Sequence, residues 1–288
     1  MDPALIANNV IDGVLMGMLY SLIALGLALI FGVMDIINFA HGDFVMIAAY
    51  LVWVFAMATF IDPSVMAIIT VPLFFVIGLA IYKLIIEPVL GAEPLIQIAV
   101  TVGLGYVLQN MALAVWKAEP KSFPDPWFNY GIELGPISLS VAKLLGAVIS
   151  AISLILIHYL LTRTKFGLAV RATSANREVA PLMGISVKKV YGITFGIGTA
   201  LTALGAALYM AWGQTNPYLG ASFSLLSWVI VAMGGLGGVI GVFFSGLIVG
   251  VLEAMGNTFV SPSARLAVVY LAFFLILWFR PRGLFAKR

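Results

Sequence analysis

Long apolar runs separated by short polar interruptions fill this chain, and most runs approach the roughly 20 residues that a helix needs to cross a bilayer core of about 30 Å. Eight stretches stand out: Val10–Phe31, Phe44–Phe60, Val65–Ile86, Leu95–Trp116, Ser140–Leu161, Val190–Trp212, Leu225–Val260 and the marginally short Ala267–Phe279. Leu225–Val260 is too long for one crossing and is interrupted by Gly234, Gly235, Gly237 and Gly238, so two short helices or a re-entrant pair are expected there. The predicted fold class is therefore all-α, a polytopic helical membrane protein of about eight transmembrane helices with a Gly-broken or re-entrant pair near residues 225–260. No interruption is long enough for a separate soluble domain and no short-period repeat is present, so residues 1–288 read as a single membrane domain.

Composition sharpens this picture. Hydrophobic residues make up 62% and charged residues 9% of the chain, against about 25% charged in soluble proteins. A water-soluble fold is excluded. Cysteine is absent, which removes disulfides, thiolate zinc sites and iron–sulfur clusters. Met1 to Asp12 carries no Lys or Arg, so no removable signal is predicted and the first apolar run is expected to remain as an anchor.

The formal net charge is +3, yet the basic residues are confined to a few loops and the chain end, which points to topology rather than nucleic acid. Arg163, Lys165, Arg171, Arg177, Lys188 and Lys189 cluster in Thr162–Lys189, and Arg280, Arg282, Lys287 and Arg288 in the tail. Both segments are placed in the cytoplasm, with Lys83, while Lys117, Lys121, Lys143 and Arg265 fall outside. The N-terminus is then expected outside and the C-terminus in the cytoplasm. The outside segment Lys117–Pro136, with four prolines beside Trp127, Phe128 and Tyr130, reads as an ordered or interface-lying cap.

Catalytic chemistry is poorly represented. No Gly-Lys pair exists, so a phosphate-cradling loop is missing and any ATP must be hydrolysed by another subunit. Gly184-Ile185-Ser186 superficially suggests a serine nucleophile, but it lies in a charged loop, and the two histidines, His41 and His158, are on different segments with no metal-binding pattern. Transporters, channels and scaffolds remain.

Two loops discriminate among them. Gly32–Phe44 joins the first two runs and reads as a half-buried turn in which Asn38, His41 and Asp43 cap helix ends and Gly42 permits close backbone approach. A role for Asn38, Phe39, Ala40, His41, Gly42 and Asp43 in a permeation path or subunit contact is equally compatible with the spacing. In the basic loop, Val179, Leu182 and Met183 share one stripe of a short helix, with Ser174 or Asn176 as its cap, Glu178 in its first turn and Gly184 at C′. Such a helix either lies on lipid headgroups or docks into a groove on a partner.

The run Phe31-Gly32-Val33, Ile37-Asn38-Phe39-Ala40-His41-Gly42-Asp43 and Met46-Ile47-Ala48-Ala49-Tyr50 closely resembles the hallmark of high-affinity branched-chain amino acid ABC transporter permeases of the H type. The resemblance continues through Asn216-Pro217, the glycine break, Gly246–Gly250, Glu253-Ala254 and Arg280–Phe285, covering almost the whole chain. It implies a multi-pass permease in a bacterial or archaeal inner (plasma) membrane, not an enzyme and without cofactor. The partners it implies are a second membrane permease subunit, homologous or identical, two ATP-binding subunits, a solute-binding protein and membrane lipid; nucleic acid is not among them. The resemblance also makes 162–189 the cytoplasmic coupling loop, with Arg177, Glu178, Ala180, Leu182, Met183 and Gly184 at the ATPase contact. Glu178, Ala180 and Gly184 match the Glu-Ala-Ala…Gly motif of ABC importer permeases, whereas Val179 replaces an expected alanine and Pro181 departs from a helical pattern.

Pathway or packing roles fall to the polar stripe Gln97, Thr101 and Gln109, to Gly234, Gly235, Gly237 and Gly238, and to Glu253 with Asn257 one turn later. Small-x-x-x-small spacings, among them Gly246/Gly250, favour close helix packing. Urea or short-chain amide import is the competing substrate reading within the family. A channel or ion-coupled carrier using Asp12 and Glu253 is the remoter alternative.

Overall fold

The computed structural model describes residues 3–235 and 238–285. Gly237 of the glycine break and Lys287 and Arg288 of the basic tail lie outside the described residues. Ten α-helices appear among the described residues: α1 (Pro3–Met34), α2 (His41–Thr59), α3 (Ala67–Ile81), α4 (Pro94–Trp116), α5 (Val141–Arg163), α6 (Lys165–Ala175), α7 (Val187–Tyr209), α8 (Leu219–Gly234), α9 (Val239–Phe259) and α10 (Arg265–Phe279). Seven apolar segments are long enough to cross a membrane, with α8 and α10 as shorter apolar helices. A π-turn (Tyr82–Ile86) and a 3₁₀ turn (Glu87–Val89) extend α3.

Dividing Leu225–Val260 at its glycines is what the chain does, although α8 begins earlier, at Leu219. The division brings the apolar helices to nine among the described residues, where about eight were expected. This resolves a parity problem: an even number of crossings returns a chain to the side on which it began, and termini on opposite faces need an odd number. One face carries the start of α1, the 117–140 segment and the 210–218 segment. Asn8 bonds the Pro136 carbonyl (3.0 Å) and the Ser138 N–H (2.9 Å), and Lys121 forms a bridge with Thr215. The other face carries α6, where the Ser174 hydroxyl donates to the Gly32 carbonyl (3.0 Å) near the end of α1. By the distribution of basic residues the first face is the outer one and the second the inner one.

The outer cap is ordered, with a two-stranded antiparallel ribbon, β1 (Gly131–Leu134) and β2 (Ile137–Ser140), in an otherwise helical fold.

Helix α1 is the axis of the bundle and packs on α5, α7, α8 and α9. Its antiparallel seam with α9 is built from glycines: Gly13 meets Gly250 and Val251, and Gly17 meets Gly246 and Leu247, with no room for a Cβ. Close backbone approach of this kind replaces the hydrophobic drive that lipid removes. The Ser21 hydroxyl crosses the same seam to the Phe243 carbonyl at 2.9 Å.

Candidate functional site

Three places collect the polar residues. The first is the segment between α1 and α2. It is half-buried as expected, but it is a return strand drawn into the bundle rather than a tight turn, and the expected capping of α2 by Asn38, His41 or Asp43 is not made: its N-cap is Ala40, with no side-chain bond. Asp35, at φ 55°, reverses the chain as its N–H closes α1 on the Phe31 carbonyl at 2.8 Å. Residues 36–40 then climb back along α1, so that His41 opens α2 beside Ile23, about three turns before α1 ends. Nonhelical backbone inside a membrane bundle must find its partners in protein, and here they come from side chains of two helices, α4 and α8, and from Asn38 itself. Thr101 Oγ1 of α4 donates to the Ile37 carbonyl (3.0 Å) and accepts the Phe39 N–H (3.3 Å). Ser224 Oγ of α8 donates to the Phe39 carbonyl (2.7 Å) and accepts the Gly42 N–H (2.8 Å). His41 Nε2 donates to the Ile23 carbonyl (2.9 Å), and Asn38 Oδ1 accepts the Ala40 N–H (3.1 Å).

Gly42 is required at this point because a side chain would strike the α8 backbone at Gly220 and Ser224. Asp43, in the first turn of α2, sits between Gly105 of α4 and Gly220 of α8. Ser224, the residue that completes this arrangement, carries no signal in the sequence beyond being a serine in an apolar run.

The polar stripe on α4 does not act as one unit. Gln97 is buried and its Nε2 donates to the Leu90 (3.3 Å) and Ala92 (3.1 Å) carbonyls, closing the turn before α4, while Thr101 serves the return strand. Gln109 is only half-buried, further along the helix.

The second place is the inner loop. A full helix α6 precedes the predicted amphipathic element and was not foreseen; the Thr164 hydroxyl caps it by accepting the Gly167 N–H (3.1 Å), and Arg171 bonds the Leu161 carbonyl. The expected short helix over Val179–Met183 is a single 3₁₀ turn, Ala180–Met183. Its extent is limited by Pro181, which lacks an N–H, and by Gly184, which terminates it in the left-handed conformation at φ 78°. Asn176 caps the preceding turn as expected, its Oδ1 accepting the N–H groups of Glu178 (2.9 Å) and Val179 (3.1 Å). The Gly184 N–H returns to the Pro181 carbonyl (3.0 Å) and that of Ile185 to the Ala180 carbonyl (3.3 Å). Ala180 alone is buried; Leu182 and Met183 are 82% and 78% exposed, with Arg177 and Glu178 exposed beside them.

The third place is an outer cavity of about 930 Å³ between α1, the end of α7, the start of α8 and α9. Glu253 and Asn257 line it, and Glu253 is paired with Arg265 at 3.1 Å. Asp12 and Lys143, paired at 2.8 Å, line it as well. The sequence placed Arg265 and Lys143 outside but offered nothing to join them to Glu253 and Asp12.

At the glycine break, Gly234 packs against Gly241, and Gly235, at φ 84°, is covered by the tail, where Gly283 touches it and the Leu284 N–H donates to the Met233 carbonyl (2.7 Å). Gly238 caps α9 and is exposed. The Gly234/Gly238 spacing therefore falls across a chain break rather than along a helix face, whereas Gly246 and Gly250 do share a packed face on α9.

A glycine-seamed bundle with a polar return strand, a capped inner turn and an outer cavity has the architecture of a membrane permease rather than of an enzyme. The chain belongs to the family of permease components of branched-chain amino acid transport systems, whose model matches residues 9–277. It is similar to the high-affinity branched-chain amino acid transport system permease protein BraD of Pseudomonas aeruginosa, 27% identical over 297 residues that cover 97% of this chain and 95% of that one. It is also similar to a probable branched-chain amino acid transport permease protein, LivH, of Methanocaldococcus jannaschii (24% over 243 residues, 81% and 76% covered). The nucleoside ABC transporter permease protein NupB of Lactococcus lactis matches over 47% of this chain and 39% of its own, at 27% identity. No solved structure matches the chain significantly. The chain is a multi-pass membrane protein and the permease component of an ABC transport system for branched-chain amino acids, not itself catalytic. A component of that kind works with ATP-hydrolysing and solute-binding partners.

Proposed function

We propose that this subunit pairs with a second permease subunit, homologous or identical, and passes branched-chain amino acids received from a binding protein on the outer face. Two ATP-binding subunits drive the change between outward and inward states through the turn Arg177–Gly184. The observation that carries this reading is the exposure of Leu182 and Met183 on a turn whose own backbone is satisfied by Asn176 and Gly184. Two adjacent, strongly exposed apolar side chains on a turn that needs no further backbone partner fit a contact surface. One 3₁₀ turn flanked by Arg177, Glu178, Lys188 and Lys189 is too short to lie along headgroups as an amphipathic helix, which favours docking into a groove. Leu182, Met183 and the charges of Arg177 and Glu178 then set the contact, and Gly184 its exit angle.

An ion-coupled carrier is less well supported, because Asp12 and Glu253 are both engaged in ion pairs rather than presented to an ion. The test is uptake of labelled leucine and labelled urea into vesicles holding this chain with its membrane, ATPase and binding-protein partners. ATP-dependent accumulation of leucine is expected, and its loss in a Leu182→Asp/Met183→Asp variant that still inserts. Accumulation of urea instead would replace the substrate; unchanged uptake in the variant would remove the turn from the ATPase contact.

A further inference from the structure

The outer cavity carries more charge than a passage needs. Ionised side chains in a membrane bundle are costly and persist where they have a partner or a task. Glu253 is nearly buried, its side chain 11% exposed, whereas that of its partner Arg265 is 51% exposed. Opening this pair would leave a nearly buried carboxylate without its counter-charge, which is costly unless the guest supplies charges of both signs. Its two ends can therefore separate only for a guest of matching dipole. The second pair, Asp12 and Lys143, faces the same space with side chains 45% and 23% exposed. The same cavity is lined by Met16 of α1 and by Phe223 and Leu226 of α8, alongside polar side chains such as Tyr20, Ser222 and Asn257. The volume, about 930 Å³, is that of a small-molecule cleft rather than of a packing defect.

We infer that this cavity is a binding subsite for a zwitterionic aliphatic amino acid. The guest's carboxylate takes the guanidinium of Arg265, its ammonium takes the carboxylate of Glu253, and its branched side chain lies on Phe223 and Leu226. The inference rests on the branched-chain amino acid reading and adds where, within this subunit, the charged head is held. Charge-assisted bonds to both ends select the intact zwitterion over neutral or singly charged solutes of the same shape, because such a solute leaves one member of the opened pair without its partner.

The natural chain has no cysteine, which makes single-cysteine labelling of this subunit unambiguous. Ser222→Cys, nearly isosteric, and Asn257→Cys each place a thiol at the exposed wall of the cavity. The full assembly in nanodiscs is treated from outside with an impermeant maleimide, without ATP, and the rate of labelling of this subunit is followed. Increasing L-leucine is expected to slow labelling along one saturation curve, by about threefold or more. 4-Methylpentanoate, 3-methylbutylamine and urea are expected to leave the rate unchanged. Adding Glu253→Gln or Arg265→Gln is expected to move the leucine curve to about tenfold higher concentration, with Arg265→Lys restoring part of the loss. The subsite is overturned if leucine gives no protection in an assembly that accumulates leucine with ATP, if the singly charged analogues protect equally, or if neither thiol reacts from outside. An assembly that accumulates no leucine with ATP removes the substrate reading, and this subsite with it.

Discussion

The return strand 35–43 and the inner turn 176–185 both carry residues on which the family resemblance rests, and they are built in opposite ways. From Ile36 onward the strand is buried or half-buried, and its backbone is satisfied by side chains from α4 and α8, which lie 62 and 185 residues away from Phe39. The turn is exposed, and its backbone is satisfied by Asn176 and by carbonyls within five residues, leaving Leu182 and Met183 with nothing to cover them. Distinctive residues in the first segment hold this subunit together, whereas Leu182 and Met183 in the second are left uncovered by it, as the proposed ATPase contact requires. Sequence motifs of similar distinctiveness are thus buried and bonded across the fold in one place, and exposed and bonded only locally in the other.

The largest effect should come from crowding the strand. Gly42→Val pushes a branched side chain into the α8 backbone at Gly220 and Ser224, and overpacking of this kind costs about 3 kcal/mol, or more where backbone must move. The expected result is a protein recovered in low yield and polydisperse by size exclusion. A well-behaved Gly42→Val protein with wild-type thermal midpoint would mean that α2 and α8 do not meet there.

Leu182→Asp should do the reverse. Its thermal midpoint should change by no more than about 0.5 kcal/mol equivalent, as for other surface substitutions. ATP-driven leucine uptake should fall by about tenfold or more, as at an interface hot spot. A parallel loss of stability would erase the contrast between the two segments.

Smaller effects sharpen the account of the strand. Ser224→Ala removes both the acceptor for the Gly42 N–H and the donor to the Phe39 carbonyl, at about 1–2 kcal/mol. Thr101→Val removes longer bonds, to the Ile37 carbonyl (3.0 Å) and from the Phe39 N–H (3.3 Å), at about 0.6 kcal/mol. Denaturation midpoints of the two variants in one detergent measure the order; a costlier Thr101→Val would shift the main support of the strand from α8 to α4.

Most of the helices were legible in the sequence because a long apolar run in lipid has few options: every backbone group must be satisfied within the segment, and a helix does this alone. The errors follow the same logic. The apolar run from Leu225 omits the first six residues of α8 because Gly220, Ser222 and Ser224 dilute it there. Helix α6 was overlooked because its charged residues masked a short helix that leans on α1, α5 and α7. The helix expected across Val179–Met183 shrank to a 3₁₀ turn because Pro181 and Gly184 leave no length for more.

What the sequence determined by itself is local: the membrane class, the apolar helices, the sidedness implied by Lys and Arg, the cap at Asn176 and the left-handed exit at Gly184. Hydrophobic length, charge and capping are read over a few to about 20 residues, which is the range over which a chain constrains itself. Tertiary structure alone decided that 35–40 runs back along α1, that Ser224 and Thr101 complete it, and that Glu253 with Arg265 and Asp12 with Lys143 face one cavity. Those groups come from distant parts of the chain, and no periodicity or spacing records which helices will lie side by side. Their pairing is selected only when glycine seams such as Gly13–Gly250 bring the helices close enough for each buried polar group to find its partner.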